Sequence, residues 1–381
     1  MGFESKLPPR CFSDPAIFAA EQSILFERTW QFACLRTDVR DDKDFVTGKI
    51  GSQPYVLQNF RGRLAALHNV CSHRAAPLQP TERGNRGLHC PYHGWVYDPS
   101  GVPVGIPHNE AFYPISVEEA KCLAAKSFSH TALGNMVFVS AAPDAALSSQ
   151  LGEHAGLLAS IGNALDDISF RTRIHAACNW KFLMHNGYDD IHAQFVHPLS
   201  SLDTRDYIGA EWLSHPFDGS VERIPDGYGN RHALLKVMMT QAAQARNAAI
   251  FDGCLANREI AFDHYMHFVL WPNVIITSVQ GLWYNIVRYR PTSESSTEID
   301  MWVVPGRQKD GQSRVTPDIL YHLALSGLRV FNEDIEAVES SQRGIASVRR
   351  HAVLGKREDK IINFDSAYVA AMTRAGIDIG A

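Results

Sequence analysis

Two short Cys–His motifs are the residues in this sequence whose types and spacing most directly indicate chemistry. Cys71-Ser-His73 is followed, after sixteen residues, by Cys90-Pro-Tyr-His93-Gly-Trp95. Together they offer two thiolates and two imidazoles, the ligand set of a [2Fe–2S] cluster whose two irons are held by different residue types. The order differs from that of zinc fingers, in which two cysteines precede two histidines across a helix. On spacing alone, a structural zinc site is the alternative.

A second candidate metal site lies in the stretch that contains Asp189, His192 and His197. On a continuous helix Asp189 and His192 share a face. His192 and His197 are five residues apart, about 140° around a regular helix, so both reach one ion only if the helix ends or unwinds. Pro198 predicts such an end. Two histidines and a carboxylate form the facial triad of non-haem Fe(II), although this histidine spacing alone indicates little.

The carboxylate of such a triad must come from elsewhere, and the segment 326–342 offers one. At 100° per residue it has an apolar helical face formed by Leu328, Phe331, Ile335, Val338 and Gln342. Asp334 lies at the edge of this face, and a buried carboxylate needs a partner. We predict Asp334 as the third ligand and Glu339 as the second choice. Glu333 and Glu336 are predicted to be solvated.

The first pair of motifs resembles the Rieske family, whose pattern is C-x-H, a spacer of mid-teens length and C-x-x-H-G-W, over about residues 38–142. The second resembles the catalytic domain of Rieske non-haem iron oxygenase α subunits, which carry N-x-x-D-x-x-H-x4-H and a distant Asp. The resemblance implies two sets of metal ligands. They are Cys71, His73, Cys90 and His93 for a [2Fe–2S] cluster, and His192, His197 and Asp334 for a mononuclear Fe(II).

The resemblance also implies a role for Asp189. Through hydrogen bonds it would bridge a Rieske histidine of one subunit to an iron-ligand histidine of the next, as carboxylates that orient ligating imidazoles do. Many members have Glu or Asn four to five residues before this Asp, whereas here Met184 and His185 stand there and Asn186 follows. We predict His185 and Asn186 as substrate contacts. A paired core histidine is an equal interpretation of His185.

The elements that must position these residues indicate an α+β fold: a small antiparallel β Rieske domain, and a larger catalytic domain with helices over an antiparallel sheet. Residues 1–38 are expected to form a helical lead-in, 39–145 the Rieske domain and 146–381 the catalytic domain. Periodicity predicts helices and strands in the last of these. The helices are Asn179–Val196, Ala233–Phe251 and Pro317–Gly344, and the strands are His267–Val279, Trp283–Arg290 and Glu298–Val304. Strands Phe45–Ile50, Pro54–Gln58 and Leu64–Val70 are predicted in the Rieske domain.

Composition excludes several classes of protein. The net charge of −5 gives no reason to expect nucleic acid or an anionic membrane as partner. No apolar run is long enough to span a bilayer, and the first residues lack the apolar core of a signal peptide. Seven scattered cysteines argue against a disulfide framework. The expected location is the cytoplasm.

The function implied by the resemblance is mono- or cis-dihydroxylation of an aromatic or aromatic-carboxylate substrate with O2. The sequence has no G-x-G-x-x-G or P-loop motif, so NAD(P)H is expected to act only through a separate reductase, with a ferredoxin left open. An electron path between subunits implies a homotrimer, and the chain length favours one without a β subunit, which stays open.

Three alternatives remain at this stage. One is a demethylating or quaternary-ammonium monooxygenase of the carnitine and choline type, favoured by the context Val196-His197-Pro198-Leu199 and disfavoured by Asp189, where such members tend toward Glu. The others are a Rieske electron-transfer protein and a zinc-stabilised binding module.

Overall fold

The computed structural model describes residues 3–189, 191–197, 221–224, 232–251, 254–256, 264–309, 315–355 and 358–380. The chain divides into two compact units, one formed by Gln22–Gln150 and the other by Met1–Glu21 with Leu151–Ala381. We refer to them as the β-unit and the catalytic unit. The predicted lead-in, 1–38, is therefore shared between the two units in this division.

The strands alternate with short helices in the β-unit and with longer helices in the catalytic unit. The described strands are β1 (Phe3–Glu4), β2 (Gln31–Leu35), β3 (Asp44–Ile50), β4 (Gln53–Phe60), β5 (Arg63–His68), β6 (Arg83–Asn85), β7 (Val96–Tyr97), β8 (Pro103–Gly105), β9 (Ser127–Leu133), β10 (Met136–Ser140), β11 (Phe170–Ala176), β12 (Val221–Ile224), β13 (Ala233–Met238), β14 (His264–Leu270), β15 (Val274–Val279), β16 (Trp283–Ser293), β17 (Ser296–Pro305) and β18 (Val353–Leu354). The described α-helices are α1 (Pro15–Glu21), α2 (Asn109–Phe112), α3 (Val117–Cys122), α4 (Leu147–Leu151), α5 (Ala155–Ala164), α6 (Trp180–Tyr188), α7 (Ala193–Val196), α8 (Gln241–Phe251), α9 (Pro317–Ile345) and α10 (Asp359–Arg374).

The β-unit is built on a seven-stranded antiparallel sheet with the order β2-β10-β9-β5-β4-β3-β6. The β4–β5 hairpin turns through Arg61 and Gly62, whose φ angles of 54° and 89° suit the two-residue turn that right-twisted strands prefer. Side chains alternate between the faces of β4, so Leu57 joins one apolar core and Val56 another. The second core contains Cys71 and Cys90. Two of the predicted cluster ligands are therefore part of this second apolar core.

The catalytic unit contains a second seven-stranded antiparallel sheet with the order β11-β17-β16-β15-β14-β13-β12. The long helix α9 begins at the N-cap Thr316, whose side chain accepts a hydrogen bond from the amide of Ile319. At Gly327 this helix packs on the sheet: a Cβ atom there would be in ordinary van der Waals contact, 3.6 Å from Sδ of Met301 on β17. The expected α+β fold, with helices over an antiparallel sheet, is confirmed.

Helix Pro317–Gly344 and strands Trp283–Arg290 and Glu298–Val304 are present as predicted, within one to three residues. Three predictions were wrong in part. The first third of Ala233–Phe251 is the strand β13, which pairs with β12 and β14. His267–Val279 comprises parts of two strands, β14 and β15, and Asn179–Val196 is interrupted between α6 and α7.

A fully buried ion pair joins the N-terminal segment of the catalytic unit to the helix α6. Nζ of Lys181 lies 2.5 Å from Oε1 of Glu21, and both side chains are 0% exposed. Glu21 also accepts hydrogen bonds from Nε1 of Trp180 (2.9 Å) and from the hydroxyl of Tyr368 (2.5 Å). Through these three contacts the carboxylate of Glu21 fixes the start of α6. The segment that carries the predicted iron ligands continues from this helix.

Among the described helices, none combines the length and the apolar character needed to cross a lipid bilayer.

Candidate metal centres

The two ligand loops of the β-unit share one backbone pattern. The amide of each cysteine donates to the carbonyl five residues later, at 2.8 Å in both loops, and its carbonyl accepts from the amide four residues later, at 2.9 and 3.0 Å. The residues four positions after Cys71 and Cys90 are Ala75 and Gly94, with φ of 59° and 73°. A left-handed residue thus turns both loops in the same way.

The two predicted histidine ligands of these loops face each other. The rings of His73 and His93 have centroids 4.5 Å apart. Their Nδ1 atoms are buried and have no hydrogen-bond partner in the described part of the chain. Such atoms destabilise a fold unless something binds them. Two Sγ atoms, from the buried Cys71 and Cys90, and two free Nδ1 atoms fit a Rieske [2Fe–2S] cluster.

Aromatic side chains surround the predicted cluster ligands. The hydroxyl of Tyr97 lies 3.1 Å from Sγ of Cys71 and accepts a hydrogen bond from the amide of Ser72 at 3.0 Å. Burial and the neighbouring Cys71 raise the pKa of Tyr97, so its hydroxyl keeps its proton. Trp95 stacks on His73, with centroids 5.1 Å apart and planes 7° from parallel. The sequence did not identify Tyr97, since no spacing rule marks it.

In the catalytic unit, the helix that leads to the second site ends early. Helix α6 ends at Tyr188, and Asp189 has an extended backbone with φ −87° and ψ 133°. Oδ1 of Asp189 accepts from the amide of Ile191 at 2.6 Å, and the one-turn helix α7 follows between His192 and His197. Asp189 and His192 therefore do not share one continuous helix. The helix unwinds before His192, and Pro198 lies outside the described residues.

The structure brings His192, His197 and Asp334 together as one group of potential metal ligands, whose ligand atoms lie within 4.8 Å of one another. Oδ1 of Asp334 is 3.4 Å from Nε2 of His192 and 3.2 Å from Nε2 of His197. Ligand atoms bound about 2.1 Å from one ion and at right angles lie about 3 Å apart. The two distances to Asp334 are therefore close to those of neighbouring ligands on one face of a small divalent ion.

Charge in this site also favours a cation. Burial alone would lower the pKa of His192, but the carboxylates of Asp189 and Asp334 outweigh it and raise the pKa to about 9. The pKa of Asp334 is lowered: burial would raise it, and the two imidazoles outweigh that effect. Three carboxylates surround the two imidazoles, counting Glu333 on Nδ1 of His197. A divalent ion would balance this negative charge.

Two further residues orient the predicted ligands. Oε2 of Glu333 lies 2.8 Å from Nδ1 of His197, which leaves Nε2 directed toward Asp334. The prediction that Glu333 is solvated was wrong, because His197 approaches α9 from the flank that the helical projection placed outside. Nδ2 of Asn186 donates to Oδ1 of Asp334 at 3.0 Å. The sequence predicts Asn186 only as a substrate contact.

The remaining candidate residues have other partners. Nε2 of His185 lies 2.9 Å from Oδ1 of Asp365, and its ring stands edge-on to Phe12 and Phe364. This arrangement favours the paired core histidine over the substrate contact. Glu339 accepts a hydrogen bond from the amide of Ala177 at 2.7 Å.

Asp189 contacts the predicted iron site from its outer side. Its Oδ2 is 3.4 Å from Nδ1 of His192, outside good hydrogen-bond geometry, and that Nδ1 has no hydrogen-bond partner among the residues described. Burial would raise the pKa of Asp189, but His192 and the amide of Ile191 outweigh burial and lower it. Asp189 is therefore ionised beside an imidazole that it can orient.

Two family models match the chain. The Rieske [2Fe–2S] domain matches residues 29–126, and the catalytic domain of the ring-hydroxylating α subunit matches residues 168–374, which is more than half of the 381 residues. The chain therefore belongs to the family of ring-hydroxylating α subunits. Its cofactors are a Rieske [2Fe–2S] cluster and a mononuclear iron.

Curated relatives include a dioxygenase and a monooxygenase. The large subunit of anthranilate 1,2-dioxygenase from Acinetobacter baylyi is 31% identical over 49% of this chain and 41% of its own length. The glycine betaine monooxygenase oxygenase subunit of Pseudomonas aeruginosa is 24% identical over 80% of this chain and 81% of its own length. The chain thus covers less than half of the first relative.

Solved structures show the same fold. A quaternary ammonium Rieske monooxygenase in complex with L-carnitine has a TM-score of 0.76 at 17% identity, covering 97% of this chain and 96% of that one. Naphthalene 1,2-dioxygenase with indole bound in its active site has a TM-score of 0.76 at 20% identity, covering 98% and 93%.

Proposed function

We propose that this chain is the oxygenase component of a multicomponent enzyme that hydroxylates a small aromatic compound with O2. The observation that carries the proposal is the convergence of His192, His197 and Asp334, which meet in space although Asp334 is distant in sequence. When bound, the [2Fe–2S] cluster supplies electrons singly and the mononuclear iron supplies the place at which O2 is activated.

The residues of this chain would hold the two metal centres and orient their ligands. Cys71, His73, Cys90 and His93 would hold the cluster, and His192, His197 and Asp334 would hold the iron on one side only. Glu333 keeps the ligating nitrogen of His197 in position, and the amide of Asn186 holds Asp334. Because both contacts are made by side chains on rigid helices, the ligand geometry is set before a metal binds.

Asp189 is proposed as the link between the two centres, acting between copies of the chain. It is ionised and already in contact with His192, so its carboxylate is suited to accept a hydrogen bond from a cluster-ligating histidine of a neighbouring subunit. One structural relative is a quaternary ammonium Rieske monooxygenase whose structure gave insights into inter-subunit electron transfer; its TM-score is 0.76 at 16% identity, covering 99% of this chain and 96% of that one. Electron transfer between subunits requires more than one copy of the chain, and we propose a homotrimer, with the need for a β subunit open.

Electrons are proposed to come from NAD(P)H through a separate reductase, with or without a ferredoxin. All seven cysteines are free in the structure, as the reducing cytoplasm would keep them. The cytoplasm is therefore the proposed location.

A quaternary-ammonium monooxygenase is the second candidate. It is favoured by the alignment with glycine betaine monooxygenase, which spans 80% of this chain compared with 49% for the anthranilate enzyme. The two candidates differ in the charge of the substrate, which binding experiments can separate.

Asp334→Ala tests the proposed function. We expect the purified variant to keep the visible absorbance of its cluster, to lose about one of about three irons per chain, and to lose turnover of single-ring aromatics by more than about a hundredfold, because even outer-shell partners contribute 10–100-fold. Iron analysis, the visible spectrum and product formation with a surrogate NADH-dependent reductase measure these effects.

Glu336→Ala is the matched control, since Glu336 is exposed on the same helix two residues later. If the chain were only an electron-transfer protein, both variants would keep its full electron-transfer activity. If it were a zinc-stabilised binding module, the purified protein would contain zinc and lack the red-brown absorbance. Either result contradicts the proposed function.

A further inference from the structure

A row of three polar side chains crosses the middle of the catalytic sheet. It consists of His267 on β14, Thr277 on β15 and Asn285 on β16. His267 is paired directly with Thr277, and Thr277 with Asn285, in the antiparallel register. Strand β15 is the fourth of the seven strands in the sheet. The three side chains therefore stand side by side on one face.

That face is the one on which the iron-site helix packs. Ile275 lies two residues before Thr277 on β15 and so points to the same face. A Cβ atom on Gly187 of α6 would lie 2.3 Å from Cδ1 of Ile275, so α6 lies directly against this face. Gly187 is two residues before Asp189, and the segment that continues from α6 carries His192 and His197. The polar row thus shares its side of the sheet with the predicted iron ligands.

The three side chains of the row are incompletely covered. His267, Thr277 and Asn285 each keep part of their surface accessible. Their neighbours on the other face are closed off, at no more than 2% exposure for Met266, Phe268, Ile276, Ser278, Tyr284 and Ile286. Accessible surface in the centre of a sheet, on the side that a helix covers, means that the covering is incomplete at this point. A small molecule can occupy such a space.

Two polar atoms of the row lack partners. Nδ2 of Asn285 donates to the hydroxyl of Thr277 at 3.2 Å. Oδ1 of Asn285 and Nε2 of His267 are buried, and neither finds a hydrogen-bond partner within the described ranges. Unpaired buried polar atoms are rare in folded proteins and destabilise them. A ligand that supplies the missing hydrogen bonds would be bound selectively.

The row has no charge of its own. Burial lowers the pKa of His267 to about 3, helped by the positive charges of Lys360 and His192, so the imidazole is neutral near pH 7. Arg288 alternates to the other face of β16 and pairs with Asp300 at 2.6 Å. The three side chains of the row therefore offer no opposite charge of their own to a charged substituent.

We propose that His267, Thr277 and Asn285 form the polar end of the substrate site and bind an uncharged hydrogen-bonding substituent, such as an amide or a hydroxyl, on an aromatic ring. The side chains of Asn285 and Thr277 can exchange donor and acceptor roles, so the row accepts a group that both donates and accepts. This inference rests on the proposed function, and it names the class of substrate for the same site.

Binding to the iron-loaded holoprotein tests the inference without requiring turnover. The probes are four single-ring compounds of similar size, namely benzamide, benzoate, phenyltrimethylammonium and toluene, and titration calorimetry gives each Kd. We expect benzamide to bind about tenfold more tightly than the other three, since the row contributes about one net hydrogen bond to it. Asn285→Leu should raise the Kd of benzamide about tenfold and leave the Kd of toluene unchanged.

Two further variants guard against a simple folding defect. Thr277→Val removes the hydroxyl that holds Asn285 and should also raise the Kd of benzamide. Ser278→Ala removes a hydroxyl on the opposite face of the same strand and should leave the order of the four affinities unchanged. The cluster absorbance and the Tm of each variant report on its folding.

The inference is overturned if benzamide does not bind, if it binds no more tightly than toluene, or if benzoate or phenyltrimethylammonium binds best. The same holds if Asn285→Leu and Thr277→Val leave the preference for benzamide intact. None of these results affects the loss of iron and turnover expected for Asp334→Ala, so the failure of the inference and the failure of the proposed function are distinguishable.

Discussion

In the β-unit all four proposed cluster ligands lie between Cys71 and His93, on two loops that repeat one backbone pattern. In the catalytic unit two of the proposed iron ligands, His192 and His197, flank the short helix α7. The third, Asp334, lies on the helix α9, far along the sequence. The first site is formed by local turns. The second exists only once the helices are packed.

The two sites also differ in how their histidines are held. Nδ1 of His73 and of His93 has no hydrogen-bond partner in the residues described, so backbone shape and stacking position these rings. The iron-site imidazoles are instead surrounded by carboxylates, with Glu333 on His197 and Asp189 beside His192. The cluster site, which the backbone shapes, should lose its cluster completely when one ligand is lost. The iron site, which charged side chains shape, should lose iron affinity gradually as these charges are removed.

Cys90→Ser is expected to have the largest effect. Losing one thiolate leaves the cluster with an incomplete ligand set, so the red-brown absorbance and about two irons per chain should disappear. The iron site, which uses none of these loops, should still bind about one iron. Visible spectroscopy and iron analysis measure both outcomes. Cys122→Ser, at an exposed cysteine of the same unit, is the control and should keep the cluster. A cluster that survives in Cys90→Ser would contradict the assignment.

Glu333→Gln should give a graded loss. The substitution keeps the size of the side chain and removes the charge that faces Nδ1 of His197, so iron affinity should fall 10–100-fold while the cluster is untouched. Iron-binding titrations of the metal-free catalytic site measure the change. Glu336→Gln, an exposed position on the same helix, provides the comparison and should bind iron as the parent protein does. Equal affinities in the two variants would show that charge does not shape this site.

Tyr97→Phe should have the smallest effect, because it removes one contact and no ligand. The hydroxyl of Tyr97 lies 3.1 Å from Sγ of Cys71, and a hydrogen bond to a cluster sulfur stabilises the reduced state. A bond of about 1 kcal/mol corresponds to about 40 mV for one electron, so the reduction potential should fall by about that amount. Spectroelectrochemical titration measures it. An unchanged potential would mean that the hydroxyl serves only the amide of Ser72.

The difference between the two sites explains what could be predicted from the sequence. The cluster motif is local, so the spacing of residues was enough to predict its four ligands. The iron site needed a helical projection to select Asp334, and the same projection placed Glu333 in solvent. It failed there because it describes one helix in isolation, whereas His197 reaches α9 from the side.

Secondary structure shows the same limit. Residues 233–238 have good helix propensity but pair as a strand with both β12 and β14, because tertiary context overrides propensity. The break after Tyr188 had a local signal, the short side chain of Asp189 that caps the amide of Ile191. The polar row of His267, Thr277 and Asn285 had none, since it arises from the register of three strands.

The buried pair of Glu21 and Lys181 makes the first residues of the chain a concern for protein engineering. If the segment up to Glu21 were trimmed, Lys181 would be left as an enclosed cation with no counter-charge at the head of the iron-site helix. Breaking such a pair costs about 3–5 kcal/mol, a large share of the about 5–15 kcal/mol that stabilises a typical domain. Redesigns that shorten the N-terminus should therefore replace Lys181 with an apolar residue at the same time.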